Sequence, residues 1–286
     1  MPRPRFRPYW SIVILLLIRL GTPSAGSDEP PNALANDLGK VITVNGPIDP
    51  TELGETLMHE HLFIDFWLPA DQPQRWSQLF GRRPPESAED LAIWHEPLTM
   101  NNRISMVSEM WANKDAFALD CYEDALTEVT GFTSLGGRTI VDVTTVGLNR
   151  QPELLRRVAE ESNANVIMGT GFYRTAWHPA SIADLTVKQL ALLMHKDITV
   201  GIDGTGVRAG IIGEIPIEKI SREGPPSAEM RVLQAAALAS TWTGAAITLH
   251  SDFYDTTNAP RRRYSRAGWS QSIPDNTGAY LIHSGQ

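Results

Sequence analysis

The run Gly54-Glu55-Thr56-Leu57-Met58-His59-Glu60-His61-Leu62 carries the clearest structural and chemical signal in the chain. It predicts a short apolar strand that ends in two histidines. Residues two apart on a strand point to the same face, so His59 and His61 can chelate one divalent cation together. The pair alone is weak evidence, because a chain with seven histidines forms such a pair by chance fairly often. A metal site therefore requires that other strands also end in metal-ligand residues.

Short apolar runs and helical patterns alternate along the rest of the chain. We predict strands over 56–62, 139–144, 165–169, 209–214, 245–250 and, more weakly marked, 279–283. Helical spacing of apolar residues predicts helices over 152–162, 182–196 and 227–243. Such alternation is typical of parallel strands in an α/β fold. No glycine-rich phosphate loop follows a strand, since the run 201–206 precedes one, so we predict a barrel-type α/β fold with about six strands.

The predicted helices have apolar faces and recognisable ends. The helix over 182–196 places four apolar residues on one stripe: Leu185, Leu190, Leu193 and Met194. The helix over 227–243 begins at a capping serine and stops at Gly244. Residues 68–137 lie between the first and second strands and contain several tryptophans. We interpret them as a helical insertion that covers the mouth or flank of the barrel.

Metal-ligand residue types end four of the six predicted strands. They are the His59-Glu60-His61 run, Glu214, His250 and His283. The carboxyl ends of parallel barrel strands carry the active site. Neutral imidazole suits zinc, and a carboxylate shared with another histidine suits a pair of ions. We therefore predict about two zinc-like divalent cations per chain, with an outward salt bridge as the alternative role of Glu214.

Length and charge exclude several classes of protein. The chain has 286 residues, a formal net charge of −8 and an isoelectric point near 5.4, so a broad basic nucleic-acid surface is not expected. Its single cysteine excludes a disulfide framework within the chain. Asp142 is expected to be structural, and the three histidines without strand-end context are expected at the surface: His95, His178 and His195.

The first residues have the pattern of an export signal. Three arginines precede a short apolar run over 12–18, and small residues follow. The run is shorter than the about 20 residues that span a bilayer, so we expect no stable membrane span. We predict a signal peptide over 1–25, a flexible lead-in over 26–37 and a barrel domain over 38–286. The chain would then be secreted or periplasmic, or cytoplasmic if its start is misassigned.

Several colinear stretches resemble the phosphotriesterase family of the amidohydrolase superfamily. They are residues 54–62, 139–145, 168–173, 208–215 and 248–251, and the likeness covers roughly 38–260. The resemblance implies a TIM (β/α)8-type barrel, incomplete here with about six strands, that holds a binuclear metal centre. His59 and His61 would bind the more buried ion, and residue 214 would bridge both ions. His250 and His283 would then bind the more exposed ion, and Tyr173 would position substrate. The alternative is that Tyr173, as a single aromatic residue, only packs in the wall of the barrel.

The resemblance also implies the reaction. Members of the family hydrolyse phosphotriesters, lactones or related esters through a metal-activated hydroxide. We therefore expect a zinc-dependent hydrolase that acts on a small-molecule ester, with Glu214 in the catalytic role of bridging ligand. The sequence is also compatible with a homodimer.

Two features depart from the family pattern. Gly213 stands where well-known members carry a carboxylated lysine that bridges the metals, and Glu214 follows it. A shift of one residue turns a side chain to the other face of a strand, so Glu214 needs a bulge or a strand end to reach inward. We also expect strands seven and eight to be missing, together with the aspartate that the eighth strand carries in the family. The rival hypothesis is therefore a truncated, catalytically impaired or inactive metal-binding chain.

Overall fold

The computed structural model describes residues 37–68, 73–104, 112–217 and 227–250, and the backbone of 281–283. The predicted signal peptide over 1–25 lies outside the described residues. Of the predicted lead-in, Asp37 alone is described, and its carboxylate lies 2.8 Å from the guanidinium of Arg208.

Strands and helices alternate over the described residues. The strands are β1 (Val41–Thr43), β2 (Gly46–Ile48), β3 (Glu55–Glu60), β4 (Ile64–Asp65), β5 (Ala118–Leu119), β6 (Gly137–Asp142), β7 (Asn165–Thr170), β8 (Ile211–Pro216), β9 (Ile247–His250) and β10 (Leu281–His283). The helices are α1 (Pro73–Phe80), α2 (Ala88–Trp94), α3 (Tyr122–Ser134), α4 (Pro152–Ser162), α5 (Val187–Thr199) and α6 (Ala228–Thr243).

Six strands form one parallel sheet in the order β3-β6-β7-β8-β9-β10. They correspond to the six predicted strands, and helices cross over between them as in a (β/α)8 barrel. The sheet curls strongly. This is shown by a hydrogen bond across β7, in which the amide of Glu214 in β8 donates to the carbonyl of Val143, just beyond β6, at 3.2 Å. The predicted incomplete barrel of about six strands is therefore confirmed for the described part of the chain.

The two faces of the sheet pack differently. The main core lies between the strands and helices α3 to α6, and it includes Ile140, Val166 and Ile212. A small apolar cluster lines the inside of the curl: Val141, Val143, Ile167 and Ile211. Strands that alternate between two apolar environments have nearly continuous apolar sequences, which is why they were recognisable in the sequence.

A hairpin of β1 and β2 lies against the amino ends of the central strands. The amide of Val44 donates to the carbonyl of Val166 at 2.8 Å, near the start of β7. The carboxyl ends of the strands lie at the opposite end of the sheet, where the candidate site is found.

Capping residues explain where the helices begin and end. The α6 helix follows the prediction, because the Ser227 hydroxyl accepts from the amide of Met230 and Gly244 adopts φ +73°. The α5 helix begins later than predicted, at Val187, because Thr186 and Gln189 form a capping box. Leu193 was wrongly placed on its apolar stripe, since this side chain is 40% exposed.

The segment predicted as a helical insertion, 68–137, has mixed structure. It contains α1 and α2, but β5 pairs antiparallel with β4, and α3 packs into the main core. Within it Trp76 is only 2% exposed and stacks on Trp67 at 5.6 Å. Its aromatic residues form a second core that also includes Tyr173 and Trp177.

No helix in the described ranges is both long and apolar enough to cross a membrane.

Candidate metal centre

The end of β3 presents two imidazoles to the inside of the curl. His59 lies within β3 and His61 directly follows it, and their ring centroids are 5.5 Å apart. Nδ1 of His61 is 2.9 Å from the hydroxyl oxygen of Thr144, so its Nε2 faces inward. The strand spacing of two residues therefore places both side chains at one site, as the sequence predicts.

A bulge in β8 turns Glu214 inward. Ile212 pairs with Ile247 and Ile215 pairs with Leu249, so three steps along β8 match two along β9. One extra residue thus lies in β8, which is the definition of a bulge. It occurs at Gly213, whose φ of +134° suits glycine. The bulge that the sequence requires for an inward Glu214 is present.

Three histidines surround the Glu214 carboxylate. Its Oε2 lies 3.1 Å from Nε2 of His59 and 2.7 Å from Nδ1 of His250, and its Oε1 lies 3.6 Å from Nε2 of His61. In a flat sheet, β3 and β8 would lie about 14 Å apart, at about 4.8 Å per strand. The curl of the sheet therefore creates the site.

His250 connects Glu214 to the loop that follows β7. Its Nε2 lies 2.9 Å from the hydroxyl of Tyr173 and 2.9 Å from Nη2 of Arg174. A guanidinium only donates hydrogen bonds, so Nε2 accepts and Nδ1 carries the proton that is donated to Glu214. Tyr173 is 3% exposed and also packs against Phe66. Tyr173 therefore contacts His250 at the site and also packs in the wall beside it.

Burial and hydrogen bonding set the charges of the cluster. Burial alone would raise the pKa of Glu214, but the imidazoles of His250 and His59 at its oxygens hold the pKa at about 2. Burial lowers the pKa of His61 despite the nearby carboxylates of Glu214 and Asp142. A carboxylate anion beside a neutral imidazole is the protonation state that divalent cations bind.

Asp142 supports this cluster from behind. It is fully buried, and its oxygens accept from the amides of Leu62 at 2.7 Å and Thr144 at 3.0 Å. Burial raises its pKa, and the neighbouring His61 and these amides act in the opposite direction. Asp142 thus ties the backbone after β3 to the backbone after β6, in agreement with its expected structural role.

Sequence reasoning missed the residues that hold the loop after β7. Glu229 is 1% exposed and accepts from the amide and the hydroxyl of Thr175, each at 3.2 Å. His178, wrongly expected at the surface, lies with its Nε2 2.6 Å from the carbonyl of Tyr173. Neither Glu229 nor His178 follows a strand, so no sequence signal marks them. Arg174 could have been noticed from its position beside Tyr173.

The donor set fits a metal ion. Ligand atoms of His59, His61 and Glu214 lie within 4.8 Å of one another, and two imidazoles with a carboxylate suit a divalent cation. His250 adjoins this group through Glu214. The backbone of His283 continues β10, beside β9, but its side chain lies outside the described residues. The ligand roles of these residues stay predictions.

Sequence comparisons agree with the resemblance. The profile of the phosphotriesterase family matches residues 39–263. An N-acetyltaurine hydrolase from Xenopus tropicalis is 36% identical over 213 residues, and the human one is 34% identical over 216. A phosphotriesterase-related protein from Nematostella vectensis is 32% identical over 222 residues. Each match covers 74% of this chain, but only 56–57% of the relative.

Solved structures show the same fold. A resiniferatoxin-binding protein from Rhodobacter sphaeroides is similar with a TM-score of 0.64 at 32% identity, over 80% of this chain and 60% of that one. A phosphotriesterase homology protein from Escherichia coli, complexed with phosphate in its active site, is similar with a TM-score of 0.51 at 27% identity, over 76% of this chain and 59% of that one. The chain thus spans little more than half the length of the relatives that it matches.

Proposed function

Since this chain belongs to the phosphotriesterase family, we propose that it is a metal-dependent hydrolase whose centre is built on His59, His61, Glu214 and His250. The observation that carries the proposal is the buried Glu214 carboxylate, with three imidazoles from β9 and the end of β3 around it. The three imidazoles meet one carboxylate at the carboxyl ends of barrel strands, which is where the active sites of such barrels lie.

We propose zinc as the metal, with two ions per chain when His283 also contributes. Imidazole and carboxylate ligands suit zinc, and a carboxylate with two oxygens can bridge two ions. When bound, such ions supply Lewis-acid chemistry, because they acidify water and polarise the oxygen of the bond that is cleaved.

The protein's own residues prepare the site for this chemistry. Glu214 keeps its negative charge without acquiring one from carbon dioxide, as a carboxylated lysine must. Thr144 orients His61 through Nδ1, which leaves Nε2 facing Glu214. Tyr173 and Arg174 provide hydrogen-bond donors at the edge of the cluster, next to His250.

For the substrate we propose a small acylated molecule. The sequence predicts an ester such as a lactone or a phosphotriester. The relatives named N-acetyltaurine hydrolases favour a carboxylic amide instead. In N-acetyltaurine, an amide bond joins an acetyl group to an amine that carries a sulfonate. In esters and amides alike, water attacks an acyl or phosphoryl centre, so both substrate classes can be compared in one panel of assays.

The test combines metal content with turnover. The chain is loaded with Zn²⁺, freed of excess metal, and assayed for bound zinc and for hydrolysis of N-acetyltaurine, a lactone and a phosphotriester. We expect one to two ions per chain and turnover of at least one substrate. The double variant His59→Ala, His61→Ala should lose both, because it removes two ligands at once.

A matched double variant, His95→Ala with His195→Ala, removes two histidines outside the centre and should keep both properties. Equal zinc content and turnover in the site variant and in the unmodified chain would refute the proposal. Less than one ion per chain without turnover would support the rival hypothesis of an inactive chain.

A further inference from the structure

The loop after β7 places a permanent positive charge beside the candidate metal centre. Nη2 of Arg174 lies 2.9 Å from Nε2 of His250, and its guanidinium carbon is 5.4 Å from the ring centre of Tyr173. Arginine stays protonated in proteins, and its planar fork of N–H donors matches the oxygens of a carboxylate or an oxyanion. The side chain therefore has the chemistry to hold an anionic group next to the reacting centre.

The backbone on both sides of Arg174 is fixed by buried groups. After it, the amide and the hydroxyl of Thr175 donate to the Glu229 carboxylate at 3.2 Å each. Before it, the carbonyl of Tyr173 lies 2.6 Å from Nε2 of His178. Glu229 is 1% exposed, and a buried carboxylate is costly unless it is hydrogen-bonded. Its place in α6 is thus explained by the loop that it holds.

We propose that Arg174 determines specificity by binding an anionic tail of the substrate, a sulfonate or a carboxylate, and that Glu229 is the positioning residue that holds the Arg174 loop. This inference deepens the proposed function and rests on it. The metal centre would act on the acyl bond while the guanidinium holds the charge at the other end of the molecule. A neutral molecule with the same acyl group would lack this second contact.

Three acetamides with a two-carbon tail test the role of Arg174: N-acetyltaurine, N-acetyl-β-alanine and the neutral N-acetylethanolamine. The measurement is the ratio of kcat/KM for each anion to that for the neutral compound, in the zinc-loaded chain. We expect Arg174→Gln to lower this ratio about 10- to 100-fold, since it removes a charge-assisted hydrogen bond. Arg174→Lys should fall between, because it keeps the charge without the fork.

The surface variant Arg157→Gln is the matched control. Arg157 lies on α4, where it pairs with Glu161 at 3.5 Å, so its loss should leave the ratio unchanged. The two anions separate the possible tails, since a larger ratio for the sulfonate or for the carboxylate identifies the preferred group.

Glu229 is tested by a conservative pair. Glu229→Gln keeps an oxygen that can accept from Thr175, so it should keep the anion ratio. Glu229→Ala should lower it, chiefly through KM, as Arg174 loses its position. Thr175→Val removes one of the two hydrogen bonds to Glu229 and should lower the anion ratio by a smaller amount. Because Thr175 is exposed, this variant tests the loop contact even if Glu229→Ala does not fold.

A binding measurement keeps this inference separate from the proposed function. Propane-1-sulfonate, which cannot be hydrolysed, is titrated into the unmodified chain and into Arg174→Gln by NMR, with propan-1-ol as the neutral counterpart. Weaker sulfonate binding in the variant supports the role of Arg174, even if no acetamide is turned over and the proposed hydrolase function fails. Equal sulfonate affinity in both chains, or an unchanged anion ratio in an active enzyme, would overturn it.

Discussion

Ile212 and Ile215 both belong to the core beneath the helices although they are three residues apart. A regular strand would place Ile212 and residue 214 on the same face. The extra residue at Gly213 moves Ile215 onto the helix face instead, and Glu214 then points toward the histidines. A Cβ on Gly213 would collide with the side chain of Thr248. The absence of one side chain thus determines where the central charge of the site lies.

The first prediction follows from that crowding. Gly213→Ala should destabilise the fold by about 1–3 kcal/mol, the usual cost of an overpacked or strained position. It should also reduce zinc content, because β8 must shift at Glu214. Urea unfolding and metal analysis measure the two effects.

Gly204→Ala provides the control for this prediction. Gly204 also has a positive φ, +80°, but a Cβ added there would have no atom within 4 Å. This variant should therefore show the smaller cost of a positive φ alone and should bind zinc normally. Equal destabilisation by both variants would show that contact with Thr248 is unimportant.

For single residues, the sequence predicts the members of the site that lie at the ends of strands. His59, His61, Glu214 and His250 were recognisable because polar residues interrupt apolar runs there. Glu229 was not, because a carboxylate near the start of a helix is ordinary and its partner Thr175 is 54 positions away. Which helix residue meets which loop depends on tertiary packing, which local sequence patterns do not encode.

Among the elements, α5 shows how a helical stripe is narrowed by packing. Leu190 is 2% exposed and Met194 is 1% exposed, whereas Leu193 is 40% exposed. The apolar pattern alone placed all three together, because residues three and four apart lie on neighbouring parts of a helix surface. The direction from which α6 and the sheet approach decides which of them is covered.

This contrast yields the second prediction. Leu190→Ala should lower the free energy of unfolding by about 2–5 kcal/mol, because it leaves a cavity in the main core. Leu193→Ala makes the same chemical change one turn away and should cost less than about 1 kcal/mol. Urea unfolding of the two variants measures the difference, and equal costs would contradict the described packing of α5.

The loop after β7 makes the third prediction. Burial lowers the pKa of His178, and nearby Arg231 and Arg75 add to this effect. The hydrogen bond to the carbonyl of Tyr173 and the charge of Glu229 act in the opposite direction. A histidine with a lowered pKa in the folded state is held neutral there. Its stabilising contribution is thus present above pH 6.5, the ordinary value, and is lost as the pH falls below it.

Replacing His178 by asparagine keeps an N–H donor for the carbonyl of Tyr173 but removes the titration. The free energy of unfolding should therefore decline less steeply between pH 7.5 and 5.5 in His178→Asn than in the unmodified chain. Urea unfolding at several pH values provides the two slopes. Parallel slopes would mean that His178 is not held neutral by the fold.

At the scale of the whole molecule, strand order and fold class were predictable but curvature was not. Parallel pairing follows from the alternation of strands and helices. The sequence marks no residue that brings Glu214 and Val143 into backbone contact across β7. The segment 68–137 was also predicted as one unit, yet α3 belongs to the main core. Both features depend on how elements meet, which periodicity does not encode.

The proposed metal ligands lie on strands that differ in how well they are buried. Every residue of β8 is buried, but β3, which carries His59, exposes Leu57 by 40% and Met58 by 41%. Within the described residues, β3 pairs with β6 alone. A cation held by His59, His61 and Glu214 would therefore connect an outer strand to a central one.

This arrangement predicts a local response to metal. Without zinc, the amides of β3 should exchange hydrogen faster than those of β7, which lies between β6 and β8. Zinc at 100 times its Kd should slow exchange in β3 up to about 100-fold, since binding stabilises the closed state by about 2.7 kcal/mol. Exchange measured by mass spectrometry on β3 peptides, with and without zinc, tests this. The variant His59→Ala, His61→Ala should show no response, and slowing spread evenly over all strands would mean that the ion binds elsewhere or stabilises the fold globally.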